Sequence, residues 1–105
     1  MAISAYFKVL ESPRGNGMVF QNEKMLSRVS YELSVLQQMI VAGDGEQEGL
    51  KLISGTLSVL KGKTKLWGFD RLTLHLQDGR NLDFFIKEAR LVSNEYIIQP
   101  TGSFY

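Results

Sequence analysis

The feature of this sequence that most constrains its fold is a two-residue hydrophobic repeat. Across residues 29–35 every second side chain is apolar, and the side chains between them are serine or glutamate. Successive side chains of a β-strand point to opposite faces, so this repeat indicates a strand with one buried and one solvated face. The β-branched and aromatic side chains of Val29, Tyr31 and Val35 also favour extended backbone.

The same region also fits helical spacing, which is the main alternative to a strand. Asn22 could cap the start of such a helix and Gly43 could end it. Ser30 and Gln37 interrupt the helical stripe, however, whereas the strand alternation runs unbroken over seven positions. We therefore predict that residues 24–41 are strand rather than helix. The apolar residues at helical spacing are Leu26, Val29, Leu33, Leu36 and Ile40.

The clearest hairpin in the sequence surrounds residues 77–79. A two-residue loop would place Leu74 opposite Asp83 and so spoil the apolar face of the hairpin. A three-residue loop of residues 77–79 restores that face, because strand register follows the buried side. We predict this bulged loop, with its glycine in the left-handed conformation. The predicted pairs are Leu76 with Arg80, Leu74 with Leu82, and Leu72 with Phe84.

The remaining segments alternate in the same way between turns rich in glycine. Gly55 lies inside one of these strands and is predicted to be a bulge or a close approach of neighbouring backbone. Pro100 cannot donate to a ladder, so it marks a strand edge or a strand end. Further strands are predicted at residues 3–10, 18–21, 53–59, 65–77, 89–92 and 96–99, and turns at Ser12–Gly17, Ala42–Gly49 and Lys61–Thr64.

Together these segments predict an all-β fold, an antiparallel meander of seven or eight strands. A chain of 105 residues has the length of one domain, so residues 1–105 are predicted to form a single β-barrel-like domain. So many strands must close on themselves or pack face to face, because open sheet edges promote aggregation. A small barrel is favoured over a sandwich, since Gly55 and Gly68 permit sharp coiling and consecutive strands are expected to pair.

Composition excludes several chemistries. The chain has no cysteine, which excludes disulfides, thiolate catalysis and cysteine-ligated metals. Its net charge of +1 does not supply the broad positive field typical of proteins that bind duplex DNA. We find neither a signal peptide nor a run of about 20 apolar residues that could span a membrane. A soluble cytoplasmic protein without a membrane role is therefore predicted.

His75 is the single histidine of the chain, and an enzyme is not predicted. In the hairpin register His75 lies opposite Asn81 and diagonal to Asp83, with Thr73 on the same face. Catalytic pairs work in concave and partly dry sites, whereas this face is expected to be convex and wet. One histidine cannot assemble a metal site alone, so neither a metal nor a cofactor is predicted.

A basic and aromatic segment, Lys61–Arg71, is the main candidate binding surface. Four cationic side chains and Asp70 give this segment a net charge of +3. Its cations could meet phosphates while its aromatic rings stack on bases, or the same surface could bind an acidic protein. Alternatively the rings cap the core and the lysines solubilise the turn. The candidate residues are Lys61, Lys63, Lys65, Trp67, Phe69 and Arg71.

The predicted loop Ala42–Gly49 is acidic. Asp44, Glu46 and Glu48 give it a net charge of −3. Such oxygens suit a hard cation, but their spacing departs from the EF-hand pattern, so a mobile solvated loop is expected. Its charge complements that of Lys61–Arg71, as in a head-to-tail contact between copies of the chain.

Phe85 is the candidate interface residue, because it lies on the face opposite Phe84. If Phe84 belongs to the core, Phe85 is exposed or covered by another subunit.

We therefore predict a small non-enzymatic binding or assembly module that acts through protein–protein contacts, including self-association. One alternative is a single-stranded nucleic-acid binder that uses Lys61–Arg71. Another is a small-ligand carrier with a hollow barrel lined by Leu33, Leu57, Leu74 and Phe84.

Overall fold

The computed structural model describes residues 3–66, 68 and 71–105, and these residues form seven strands and no helix. All strand pairs are antiparallel, which confirms the all-β antiparallel prediction. Among these residues there is accordingly no helix that could span a membrane. The strands are β1 (Ile3–Glu11), β2 (Arg14–Gln21), β3 (Lys24–Ala42), β4 (Gly45–Gly62), β5 (Leu72–His75), β6 (Asn81–Arg90) and β7 (Glu95–Pro100).

Six of the strands are joined in a closed circuit of hydrogen-bonded pairs. β2 pairs with β3, β3 with β4, β4 with β7, β7 with β6, β6 with β5, and β5 again with β2. We call this circuit the ring. It leaves no open edge where the six strands meet, which removes the aggregation risk of a flat sheet. The choice of barrel over sandwich stays a prediction.

The hairpin of β3 and β4 is much longer than the ring and continues beyond it. β2 occupies one edge of β3 up to Glu32, and β1 then pairs with the same edge from Val35 to Ala42. Between them the Leu33 N–H donates to the Pro13 carbonyl at 2.8 Å, which keeps the connection on that edge. We call residues 3–11, 35–42 and 45–53 the arm. The molecule measures 53 × 28 × 22 Å as a result.

The hydrophobic core lies inside the ring and uses alternate positions of its strands. Val29 and Leu57 are fully buried on neighbouring strands, and Phe84 is fully buried across the ring. Burial of one such side chain contributes about 1.5–3 kcal/mol. The other large members of this cluster include Val19, Tyr31, Leu33, Leu66, Leu72, Leu74, Leu82, Tyr96 and Ile98. The four side chains predicted to line a ligand cavity are therefore members of this packed cluster.

Two predictions of local structure are confirmed. The segment that fitted both helix and strand is one continuous strand, β3. The hairpin of β5 and β6 has the predicted three-residue loop, with Leu74 opposite Leu82 and the Leu76 N–H donating to the Arg80 carbonyl at 2.8 Å. Gly79 in this loop has φ +94°, the left-handed conformation that the bulged turn requires.

Two predicted turns are much shorter than expected. Only Ser12 and Pro13 separate β1 from β2, because Gly15 and Gly17 lie inside β2. These glycines permit close approach: a Cβ at Gly15 would lie 2.7 Å from Oε1 of Gln77. The predicted acidic loop Ala42–Gly49 is wrong as well, because Ala42 already pairs with Gly45 and the strands are joined by two residues.

Two predicted strands also differ from the structure. Among the described residues of 65–77, only Leu72–His75 form a strand. Leu66 lies outside the sheet and is buried, with its N–H donating to the Tyr96 hydroxyl at 3.3 Å. Residues 89–92 are not a separate strand. β6 runs through to Arg90, with an irregularity between Ile86 and Glu88. A bulge in β6 thus lies where a separate strand was expected to begin.

Candidate interaction surface

The pairing register gives the arm two chemically different faces. Val35 is buried, and alternate residues beyond it along β3 share its side of the sheet. This side, the polar face, carries Ser4, Tyr6 and Lys8 of β1, Gln37, Met39 and Val41 of β3, and Glu46, Glu48 and Lys51 of β4. The opposite side, the apolar face, carries Ile3, Ala5, Phe7 and Val9 of β1, Leu36 and Ile40 of β3, and Leu52 of β4, with Gln38 and Gln47 as polar members.

The apolar face is open to solvent. Ile3 is 72% exposed, Phe7 50%, Val9 59% and Leu52 42%. The alternation in β1 predicts a half-buried strand, but every residue of β1 is exposed, because this side of the arm is not packed on the ring. A contiguous apolar patch of this kind on a folded chain marks an interaction site.

The arm also carries two unpaired sheet edges. In the described part of the chain β1 pairs only with β3, and residues 45–54 of β4 pair only with β3. The outer edges of β1 and of this part of β4 therefore present backbone N–H and C=O groups to solvent. Such edges accept a further strand or bind water, so they can add main-chain hydrogen bonds to a side-chain contact.

Side-chain hydrogen bonds keep the arm ordered despite its exposure. Gln37, which is 7% exposed, donates to the carbonyls of Gln38 and Gly49 at 3.1 and 3.2 Å. The Gln38 side chain accepts from the Leu50 N–H at 3.1 Å. These two glutamines satisfy the backbone at the bulge of β4, where two residues of β4 oppose one of β3. The arm thus presents its side chains from a hydrogen-bonded sheet.

On the polar face the Tyr6 hydroxyl donates to Glu46 at 3.1 Å. This hydrogen bond raises the pKa of the Tyr6 phenol above its ordinary value. It also joins β1 to β4 across the intervening strand β3. The contact holds one of the acidic side chains near the end of the arm in a defined position.

Arg80, in the loop between β5 and β6, ties the arm to the ring. Its two terminal nitrogens donate to the Glu11 carboxylate at 2.5 and 3.0 Å, and its Nε donates to Asp78 at 2.9 Å. The guanidinium carbon lies 4.3 Å from the centre of the Phe104 ring. Hydrogen bonds from Arg80 lower the pKa of Glu11 and of Asp78. Bidentate networks of this kind are the surface ion pairs that do stabilise.

A cavity of about 530 Å³ lies between the base of the arm and the C-terminal segment. Glu11, Lys51 and Arg80 provide its charged lining, and Phe104 contributes an aromatic wall. Two of these charged residues form an ion pair that joins the arm, through Glu11, to the loop between β5 and β6, through Arg80. The cavity therefore marks the joint between arm and ring.

The predicted basic residues lie at the end of the molecule opposite the tip of the arm. β4 runs from the tip, where Gly45 pairs with Ala42, to Gly62, which pairs with Ser27. Lys61, Lys63, Lys65 and Arg71 are exposed there. Trp67 and Phe69, the two aromatic members of the candidate set, lie outside the described residues. We call this region, with residues 22–28, 60–65, 71 and 90–94, the basic end.

A cluster of three acidic residues lies at the other end of the same hairpin. Asp44 lies in the two-residue turn, and Glu46 and Glu48 follow on β4, all three exposed. No lysine or arginine occurs between residues 39 and 50. The opposite charges noted in the sequence are therefore separated by the length of the molecule. They cannot neutralise each other within one chain.

Phe85 lies on the outer surface of the ring rather than on the arm. It is 43% exposed, whereas Phe84 beside it is fully buried, as the alternation predicts. Phe85 and Arg71 line the same shallow cavity, together with Gln21 and Asn22. The candidate interface residue and one of the candidate basic residues are thus neighbours near the basic end.

His75 and Asp83 make their side-chain contacts with different residues. The imidazole stacks on the Phe20 ring, with ring centres 4.2 Å apart. Asp83 accepts hydrogen bonds from Thr73 and from the Tyr105 hydroxyl, both at 2.7 Å. Burial raises the pKa of Asp83, but these hydrogen bonds outweigh it and lower the pKa overall. Among the described residues no group of three or more potential metal-ligating side chains occurs.

Sequence reasoning missed the apolar face of the arm, although a signal for it is present. From Ser27 to Gln37 the buried residues of β3 are odd-numbered, whereas the apolar residue Leu36, next to Val35, points to the other side. Two adjacent apolar residues thus mark the change from ring to arm.

No protein-family model, curated protein or solved structure matches this chain. Its function must therefore be inferred from the surfaces described above.

Proposed function

We propose that this chain is a small non-enzymatic assembly module that acts through protein–protein contacts, with the apolar face of the arm as its principal contact surface. The observation that supports this proposal is the exposure of Ile3, Phe7 and Val9 on a sheet that is fully hydrogen-bonded within. Rigid apolar groups lose little side-chain entropy on binding, which favours association.

The size of the face bears on the kind of contact it makes. Three strands about 4.8 Å apart and eight residues long present roughly 14 × 26 Å, or about 360 Å². That area falls within the range of about 300–600 Å² seen for functional patches on monomers. It is less than half of the roughly 800 Å² that each partner contributes to a stable complex, so further contacts must accompany it.

Photo-crosslinking from the apolar face tests this proposal. The photoreactive residue p-benzoylphenylalanine is placed at Phe7 or, as a matched control, at Tyr6, which lies next in β1 on the polar face. We expect covalent adducts to a protein, identified by mass spectrometry as another copy or as a partner, from position 7. Position 6 should give few. If position 7 forms no protein adduct, or no more than position 6, the proposal is wrong.

A further inference from the structure

We infer that the protein bound by the arm is a second copy of this chain, docked head to tail, with the arm of one copy on the basic end of the next. This inference rests on the proposed function and adds the identity of the partner. Three features of the basic end support it: its charge, an unfavourable cation pair, and its exposed apolar side chains.

The charges at the two ends of the molecule are complementary. At the tip of the arm, residues 39–50 of the β3 and β4 hairpin carry Asp44, Glu46 and Glu48 and neither lysine nor arginine. The basic end carries an excess of cations, among them Lys24, Arg28, Lys61, Lys63 and Lys65. Because the arm is about 10 Å thick, acids on its polar face remain within about one Debye length of a surface that covers its apolar face.

Within the basic end, two cations are placed directly opposite each other. Arg28 of β3 and Lys61 of β4 are cross-strand partners. Like charges directly opposite each other destabilise a sheet. An acidic partner relieves that repulsion, and the chain itself provides one in the tip of the arm.

The basic end also carries exposed apolar side chains. Leu60 occupies an irregularity of β4, and Leu91 and Val92 begin the turn between β6 and β7. The Val59 N–H donates to the Asn94 carbonyl at 3.2 Å, which places that turn beside the end of β4. These side chains can cover the apolar face of an incoming arm and extend the buried area beyond the arm itself.

A contact between two arms is less favourable. It would bury only the apolar faces, at about 360 Å² on each copy. With the tips aligned it would also oppose Asp44, Glu46 and Glu48 to the same three acids. A head-to-tail contact instead joins two different surfaces. It can therefore be repeated, and it generates a cyclic oligomer or a filament.

Charge reversal distinguishes these arrangements. One variant carries Glu46→Lys and Glu48→Lys at the tip, and the other carries Lys24→Glu and Lys61→Glu at the basic end. Sedimentation velocity at low and high salt gives the mass of each variant alone and of their mixture. We expect the unmodified chain to associate about tenfold more weakly at high salt. Each variant alone should be monomeric, and the mixture should associate again.

Several outcomes would overturn the inference. Lys87→Glu, an exposed position on β6 outside both the arm and the basic end, is the control for charge reversal and should associate like the unmodified chain. If the basic-end variant associates normally, the contact joins arm to arm. If the unmodified chain is a monomer at every concentration and salt, the partner is another protein. In that case adducts from position 7 would still support the proposed function. If those adducts are missing as well, both proposals are wrong.

Discussion

The ring and the arm share strands β3 and β4 and show the same alternation, yet they differ in what covers their apolar side chains. In the ring Val29 is fully buried, whereas Val9 in the arm is 59% exposed. Both valines lie in antiparallel strands, each beside an irregularity of its ladder. Alternation therefore specifies a strand and its two faces, whereas burial depends on which element packs against each face.

The two regions also depend on different interactions. The ring is held by a hydrophobic cluster, and removing part of that cluster leaves a cavity. The arm is held by backbone ladders, by the glutamines at the β4 bulge and by Arg80 at its base. Mutations that disturb packing should therefore affect the ring strongly, while those that disturb charge or surface should affect the arm.

The largest expected effect is in the core of the ring. Phe84→Ala should lower the free energy of unfolding by about 3–5 kcal/mol, because it removes a fully buried ring and leaves a cavity. Phe85→Ala, one residue further along β6 and exposed, should cost less than about 1 kcal/mol. Urea denaturation followed by tryptophan fluorescence measures both. Equal losses would show that the two faces of β6 are not distinct.

The next largest effect is at the wall of the ring, where β3 and β4 approach closely. A Cβ at Gly55 would lie 2.5 Å from Cδ2 and 3.0 Å from Cα of Leu33. Gly55→Val should therefore cost about 1–3 kcal/mol by overpacking, measured by thermal unfolding. Gly45→Val at the tip of the arm meets no atom within 4 Å, so it should be nearly neutral. A neutral Gly55→Val would contradict the close approach.

A smaller effect is expected at the joint between the regions. Arg80 lowers the pKa of Glu11 and Asp78, so its stabilisation is present above the ordinary carboxylate pKa and is lost as pH falls through the lowered values. Arg80→Met should reduce stability at neutral pH and flatten this acid dependence. Hydrogen exchange in β1 from neutral to acidic pH measures the effect. An unchanged pH profile would show that Arg80 does not hold the arm.

The smallest effect on folding is expected on the apolar face. Phe7→Ser should change the free energy of unfolding by less than about 0.5 kcal/mol, because the ring of Phe7 is half exposed in the isolated chain. The same substitution should weaken association of the chain severalfold. Tyr6→Ser on the polar face is the control. A large loss of stability in Phe7→Ser, measured on the monomer, would show that the face is covered within one chain.

Local structure could be predicted wherever a buried face fixes the register. The hairpin of β5 and β6 is the best example, because only the three-residue loop brings Leu74 opposite Leu82 and leaves Gly79 in its left-handed conformation. The prediction was wrong where a glycine can either form a turn or allow close packing against a strand. The sequence predicts Gly15 and Gly17 as turn residues, but they lie in β2, where Tyr31 and Gln77 pack against the strand.

Only part of the candidate site could be predicted from the sequence. The sequence showed the opposite charges of the acidic segment and Lys61–Arg71, and it placed Phe85 outside the core. It could not show that the charges lie at opposite ends, because the length of the β3 and β4 hairpin depends on a two-residue turn at Gly43 and Asp44. The contributions of Trp67 and Phe69 and the nucleic-acid alternative stay predictions.

Three properties of this chain could be read from its sequence: that it forms antiparallel strands, which side chains share a face, and where the tightest hairpin turns. These properties follow from side-chain alternation and from backbone conformations accessible over a few residues. The tertiary structure was needed to show that one half of the β3 and β4 hairpin belongs to the ring while the other half projects from it as the arm. That outcome depends on pairings between residues far apart in the chain, such as Gly55 with Ile98 and Met18 with His75, which no local pattern specifies.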